Sequence, residues 1–341
     1  MKEIPLTKPN PFAKVVQKKT LGYYLYWGLS WLLAPILFPI RVIIIIFSSV
    51  VTTTILKFLT KDIDINKPLH PVKTKLIQKM EYFGGLLYCL GSGRYFIKEI
   101  NPQLKPDLKT ANVCICNHVS SFDPCIFLRL GFQSFVAKEE LRKMPVFGIC
   151  TWAGQGLFVK RDNKQSSEII SKIILDRTSN DIQSFGYPRK YPVLMIFPEG
   201  TTVNQTALMP FKKGAFMGGK PVSMISLRYQ QKYFDPSDTS SHMVTTQFWP
   251  MIGLWQTIEV EYYGDYIPND QEVADPQLYA DNVRNFYSEK LNQQKTDCTL
   301  KDKMYYFGKH SDYSICSQYY KDNYGPEVTR KNGYVVQHWK K

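Results

Sequence analysis

The chain is poor in acid. It has 29 Asp and Glu against 43 Lys and Arg over 341 residues, a formal net charge of +14 at neutral pH. That balance draws anions, and nucleic acid, anionic lipid and phosphorylated substrates all match its sign. The basic residues come in short, scattered pairs such as Lys18-Lys19, Lys212-Lys213 and Lys340-Lys341. No zinc-finger spacing, basic zipper or RNA-recognition signature occurs, so a nucleic-acid partner is not expected. Most of these lysines read as a solvated surface. Cysteine is sparse too: seven in a chain of this length do not make a disulfide framework, and reduced, cytosol-facing thiols are expected. Cys114, Cys116 and His118 alternate and would share one strand face, but no second Cys/His cluster completes a four-ligand site. Buried cysteines fit better than a metal. Gly218-Gly219-Lys220 runs into Pro221, where a phosphate-binding loop needs Ser or Thr, and Gly-x-Ser-x-Gly is absent. Nucleotide hydrolysis and a lipase-type elbow are therefore poorly supported.

Charge also disappears from one long stretch. No charged residue lies between Leu21 and Ile40, and about 20 such residues suffice to cross a bilayer. Arg41 stands alone, and a second uncharged run follows from Val42 to Leu56. The run is too long, starts too late and lacks the small-residue cleavage site of a signal peptide. A buried core helix rarely stays uncharged for so long. Two arrangements fit: one long tilted helix, or two shorter helices bent at Pro35 and Pro39 into a re-entrant hairpin. Lys8, Lys14, Lys18 and Lys19 before the run and Lys57 and Lys61 after it leave no charge bias, which favours a hairpin with both flanks cytosolic.

The chain as a whole has the composition of a folded protein, with 44% hydrophobic residues and an aromatic share of 14% in which 22 tyrosines stand out. Tyr and Trp suit surfaces where one end of the ring is apolar and the other wet. Short apolar runs at Asn112–Cys116, Ser134–Ala137, Leu157–Val159, Val193–Phe197, Val222–Tyr229 and Thr257–Tyr263 read as strands. Glu139–Lys143, Gln165–Ser184 and Pro276–Leu291 read as helices, the last with Asp275-Pro276 as its start signal. Strands separated by helices imply an α/β fold, a central mixed sheet flanked by helices. The expected division is a polar segment over 1–20, a membrane-embedded segment over 21–60, a catalytic domain over 61–300 and a polar, Tyr-rich tail over 301–341.

Three short stretches carry chemistry. In Asn117-His118-Val119-Ser120-Ser121-Phe122-Asp123-Pro124 a His leaves a buried strand and an Asp follows at a helix start. A carboxylate so placed can hold an imidazole in one tautomer, leaving the other ring nitrogen to take a proton from a hydroxyl. By itself this spacing is equally served by a satisfied structural histidine. Gly156-Leu157-Phe158-Val159-Lys160-Arg161 delivers two basic side chains at a strand end, where Arg suits two phosphate oxygens, although a solvated strand end reads the same way. In Phe197-Pro198-Glu199-Gly200-Thr201-Thr202, Gly200 permits close backbone approach to a ligand and Glu199 can orient a head group or a basic partner. The bland alternative is a loop cap. Phe211-Lys212-Lys213-Gly214 adds positive charge, and Pro221-Val222 opens the next apolar strand.

In this order and at these distances, the stretches resemble the four motifs of the glycerolipid acyltransferase family, from about Asn112 to Tyr229. Asn10-Pro11-Phe12, Ile258-Glu259-Val260-Glu261-Tyr262, Ile267-Pro268-Asn269-Asp270, Asp275-Pro276, Asn282-Val283-Arg284 and Thr296-Asp297 narrow the likeness to lysophosphatidylcholine acyltransferases. Several animal members of that group carry calcium-binding EF-hands after the catalytic domain. No Asp-rich calcium loop with a central Gly is present here, so calcium control of that kind is not expected. Phe-Lys-Lys-Gly is also similar to glycerol-3-phosphate acyltransferases, which leaves the acceptor open.

The resemblance implies acyl transfer from acyl-coenzyme A, a co-substrate rather than a bound cofactor, to the free hydroxyl of a lysophospholipid. His118 and Asp123 would be catalytic; Arg161, Glu199, Gly200, Thr201, Gly156 and Lys160 would bind substrate; no metal is implied. The implied location is a membrane, the endoplasmic reticulum, with the catalytic domain on the cytosolic face. There Asn204-Gln205-Thr206 would stay unglycosylated. Lysophosphatidic acid or glycerol-3-phosphate as acceptor, coenzyme-free acyl exchange, and a non-catalytic lipid-binding scaffold are the competing readings. Retention of both His118 and Asp123 counts against the scaffold. The oligomeric state is not specified by these residues.

Overall fold

Runs that are apolar on both faces pair into a sheet covered on both sides. A computed structural model of the chain describes residues 8–64, 67–108, 113–160, 171–177, 191–238 and 243–330. Its seven-stranded sheet has the order β1-β8-β7-β2-β5-β3-β4. The strands are β1 (Phe96–Ile100), β2 (Val113–Cys116), β3 (Ser134–Lys138), β4 (Leu157–Val159), β5 (Leu194–Ile196), β7 (Val222–Tyr229) and β8 (Thr257–Tyr266). All neighbours are parallel except β7 and β8, so the sheet is mixed, as expected. A separate short parallel pair joins β6 (Ala207–Leu208) to β9 (Gln294–Lys295).

The two-residue period of β2 shows how the layers form. Cys114 and Cys116 point into one core with Phe127 of α3 (Asp123–Arg129), Tyr229 and Tyr262. Val113 and Ile115 point into the other, with Tyr279, Val283 and Tyr287 of α8 (Pro276–Leu291). Helices thus cover both faces, the usual condition for parallel strands. Strands β4 and β7 and helix α8 match their expected limits, and Asp275 caps α8 through Gln277 N and Leu278 N. Strand β8 runs on to Tyr266, and Glu139–Lys143 winds as a 3-10 turn rather than an α-helix. Of the expected helix Gln165–Ser184, residues 171–177 are helical (α5) and the rest lie outside the described residues, as does Asn112. Strand β1 was not anticipated; it is an exposed edge, so it lacks the apolar run that marks a central strand.

The uncharged stretch forms one unbroken helix, α1 (Leu21–Leu59), which continues through Pro35 and Pro39 rather than dividing into two there. Each proline removes one helical hydrogen bond, and lateral packing along the helix compensates. Tyr26 stacks on Tyr233 at 3.8 Å between centroids, and Trp27 Nε1 donates to Tyr233 O at 3.1 Å. Arg41, buried mid-helix, donates to the carbonyls of Met251 (2.7 Å), Gly253 (2.6 Å) and Leu254 (2.8 Å) and to Tyr95 Oη. The hairpin partner is α2 (Pro71–Gly91), which runs antiparallel: Gly84 faces Thr52 and Gly91 faces Arg41 and Ile45. On the opposite side of α1, Leu25, Leu29, Leu32, Ile36, Ile43 and Val50 form an exposed apolar stripe.

The described residues beyond Leu300 are folded. Helices α9 (Leu300–Tyr306) and α10 (Gln318–Asn323) build a third core from Tyr305, Tyr306, Tyr320 and Tyr324 with Phe12 and Val203. The tyrosines cover apolar surface with their rings while their hydroxyls find carbonyls: Tyr324 Oη donates to Pro9 O at 2.7 Å and Tyr320 Oη to Val328 O at 2.6 Å. Asn204 of the glycosylation sequon is buried, its Nδ2 donating to Asn10 O (2.8 Å) and Ala13 O (2.7 Å). A glycan there is incompatible with the fold.

Helix α2 also abuts α3 through Gly85, where an added Cβ would lie 2.7 Å from Arg129 N and 2.9 Å from Cys125 O. Gly85→Ala is therefore expected to lower stability by about 1–3 kcal/mol by overpacking, read as a fall in the unfolding midpoint in detergent. An unchanged midpoint would show that the helices have room to separate.

Candidate active site

The turn between β2 and α3 is organised by one carboxylate. Asp123, fully buried, accepts at Oδ2 from His118 Nδ1 (2.9 Å), Val119 N (2.8 Å) and Ser120 N (3.0 Å), and at Oδ1 from Tyr229 Oη (2.6 Å). Four donors replace water around the buried group. With Nδ1 engaged, Nε2 is the ring nitrogen of His118 left for chemistry. The ring stacks on Phe197, 4.1 Å between centroids and 15° between planes, which fixes its orientation.

Glu199 stands behind the histidine. Its Oε1 accepts from His118 N (3.0 Å) and its Oε2 from Met209 N (3.1 Å), so the side chain turns inward and ties the second stretch to the first. Val203 N closes the same junction on His118 O at 2.9 Å. Burial raises the Glu199 carboxyl from 4.5 to about 7, against the lowering effect of these two backbone hydrogen bonds. Gly200 has a φ of +68°, and a Cβ there would lie 2.8 Å from Lys212 Cε. Glycine is needed for the turn itself.

A cavity of about 330 Å³ opens over His118 and is lined further by Thr201, Thr202, Phe197, Lys138, Lys303 and Lys309, among others. Gly156 and Lys160 are not among its lining residues. Gly156 is where β4 passes α4 (Pro145–Ala153) and β3: a Cβ would fall 2.5 Å from Phe135 O and 2.9 Å from Thr151 O. Lys160 is exposed just past β4, and Arg161 lies outside the described residues. A second cavity of about 220 Å³, mostly apolar, shares Pro124, Phe135, Phe147 and Thr151 with the first and extends between α1, α2, α3 and α4. Its wall includes Glu81, fully buried, whose carboxyl burial pushes well above the usual range.

Three participants escape sequence reasoning. Tyr229 was visible only as the end of an apolar strand. Arg94, fully buried, donates to Gln247 Oε1 (3.0 Å) and Gln256 Oε1 (3.3 Å), and its charge acts on Tyr229 behind Asp123. Asp238 Oδ2 accepts from Ser121 N (2.6 Å) and Ser121 Oγ, bracing the turn from outside. Each is far from the turn in sequence, and no local pattern links them to it.

Glu199 makes stability depend on pH. Between 4.5, its ordinary value, and about 7, the folded protein holds a proton that the unfolded chain has lost. Stability from this group therefore falls as pH rises through that window. In Glu199→Gln the fall is expected to be missing, read as unfolding midpoints against pH for both proteins. Parallel profiles would contradict the assignment.

The chain is similar to known proteins over much of its length. The Acyltransferase family model matches residues 97–220, which include both stretches around the dyad. Lysophosphatidylcholine acyltransferase 2 of Homo sapiens is 29% identical over 311 residues, 87% of this chain and 53% of its own. Lysophosphatidylcholine acyltransferase of Drosophila melanogaster is 29% identical over 304 residues, 86% and 54% respectively. Lysophosphatidylcholine acyltransferase 1 of Homo sapiens is 35% identical over 205 residues, 57% and 35%. The chain thus spans about half the length of the first two relatives. The crystal structure of the 1-acyl-sn-glycerophosphate (LPA) acyltransferase PlsC from Thermotoga maritima overlaps 80% of this chain at 16% identity and a TM-score of 0.48, a likeness too loose to argue from. Residues 97–220 thus match the Acyltransferase model, and the buried His–Asp pair beside the cavity lies inside that matched stretch.

Proposed function

We propose that the protein transfers an acyl group from acyl-coenzyme A to the free hydroxyl of a lysophospholipid, lysophosphatidylcholine or a close relative. The observation that carries this reading is the dyad itself: His118 is fixed through Nδ1 by a buried carboxylate, at the wall of a cavity that shares four lining residues with an apolar chamber. Nε2 takes the acceptor's proton as its oxygen attacks the thioester carbonyl; the carbon–sulfur bond then breaks and coenzyme A leaves as thiolate. Such a leaving group, with a thiol pKa of about 8.5, needs little acid help, and the proton on Nε2 passes to it. Asp123 keeps the ring in the required tautomer and stabilises the imidazolium that forms. The acyl chain extends into the apolar chamber. Thr201 contacts substrate, Glu199 and Gly200 shape the loop, Gly156 packs β4 against its neighbours, and Arg161 is the proposed partner of a substrate phosphate.

The membrane supplies both lipid substrates. Helix α1 is by length and composition a candidate span, yet its 39 residues make a rod of about 58 Å, roughly twice the hydrocarbon thickness. One face is covered by the rest of the protein from Tyr26 to Leu56. A helix lying in the interface, its apolar stripe in lipid, fits this better than a perpendicular crossing. The proposed location is the cytosolic face of the endoplasmic reticulum, where a net charge of +14 favours anionic head groups.

His118→Ala in membranes should cut transfer from labelled acyl-coenzyme A by about 10²–10⁴-fold, while the unfolding midpoint is kept. Lysophosphatidylcholine, lysophosphatidylethanolamine, lysophosphatidic acid and glycerol-3-phosphate offered side by side identify the acceptor. Transfer undiminished in the mutant would overturn the mechanism, and transfer to glycerol-3-phosphate alone would overturn the substrate class.

A further inference from the structure

The C-terminal segment reaches back into the catalytic cavity. Helix α9 starts in a capping box between Thr299 and Asp302. Asp302 is fully buried and also accepts from Ser317 N and Ser317 Oγ, both at 2.7 Å, which pins α9 to α10. The next residue, Lys303, points at the loop after Glu199. Its Nζ is 3.1 Å from Thr201 Oγ1 and 2.8 Å from Thr202 Oγ1, and also bonds Thr202 O. Lys303, Thr201 and Thr202 all line the cavity that holds His118, and Met304, Phe307 and Lys309 extend the same wall.

Hydrogen-bond direction gives this corner its chemistry. An ammonium only donates, so both threonine oxygens accept and their own protons turn away from Lys303. The corner therefore sets two hydroxyls able to donate beside a full positive charge. Lys138 and Lys309 add two more cations, while the carboxylate lining the cavity, Asp238, has one oxygen already committed to Ser121. A phosphate oxyanion fits such a corner. Both substrates of the proposed reaction carry phosphate, on coenzyme A and on the lysophospholipid head group.

We propose that Lys303, acting with Thr201 and Thr202, forms a phosphate-binding corner of the transfer site, so that the segment beyond Leu300 completes the active site. The proposal rests on the acyl-transfer reading for its ligand and not for its geometry. Lys303 orients the two hydroxyls and supplies charge; it takes no part in proton transfer.

The test is steady-state kinetics on the full chain with Lys303→Met, Lys303→Arg and Thr201→Val, both substrates varied. The KM of the phosphate-bearing substrate seated there should rise about tenfold in Lys303→Met, with kcat little changed and Arg restoring most of the loss. A rise for acyl-coenzyme A, with weaker inhibition by 3′,5′-ADP, assigns the corner to the donor; a rise for the acceptor assigns it to the head group. Thr201→Val, which keeps the shape and the lysine, should move the same KM. Calorimetric binding of desulfo-coenzyme A and of glycerophosphocholine reads the corner without turnover, so an inert wild type would overturn the proposed reaction and leave this inference to the binding data. Binding and both KM values unchanged in Lys303→Met would overturn the inference, as would a loss confined to kcat.

Discussion

The site depends on a carboxylate taken out of water. Asp123 sits at the first turn of α3, and its two oxygens receive the His118 ring, two backbone N–H groups of the preceding turn and the Tyr229 hydroxyl. A buried carboxylate short of partners is costly, so these donors cannot be rearranged independently. The histidine's direction, the path of residues 118–123 and the end of β7 are set together. Glu199 repeats the device one layer out, joining His118 N to Met209 N, so two distant stretches become one rigid unit.

The membrane side of the molecule obeys a different constraint. Contact between α1 and α2 requires backbones to come close, and Gly84 and Gly91 allow it. Arg41, the lone charge in a long apolar stretch, is satisfied by three carbonyls of the 251–254 loop and the Tyr95 hydroxyl. That arginine fastens the helix to the 251–254 loop, which leads into β8. The apolar chamber between α1, α2, α3 and α4 thus lies on the covered side of α1, between that helix and the turn that carries the dyad.

Much of this was legible in the sequence, and the remainder divides by distance along the chain. His118 and Asp123 are five residues apart, and a strand end followed by Asp-Pro announces both the turn and the helix. The central strands are short apolar runs with clear ends, so β4 and β7 could be read to the residue. Strand β1 could not, since an exposed edge strand has no apolar run. The two prolines of α1 suggest a bend when read alone; only lateral packing explains why the helix stays whole. Tyr229, Arg94, Asp238 and Lys303 contribute through contacts across more than 80 residues or between separate layers, and no spacing rule encodes such pairs. The Tyr-rich segment is hard to read for a related reason: tyrosines look polar one at a time, but together with Phe12 and Val203 they make a core.

The most direct test of the central claim is the protonation pattern of His118 itself. With ¹⁵N-labelled histidine at neutral pH, the account predicts that Nδ1 carries the proton shared with Asp123 and that Nε2 is bare. The Asp123→Asn protein should lose that tautomer preference. A proton found on Nε2 in the resting protein, or the same tautomer in both proteins, would contradict the view that this buried carboxylate prepares the histidine.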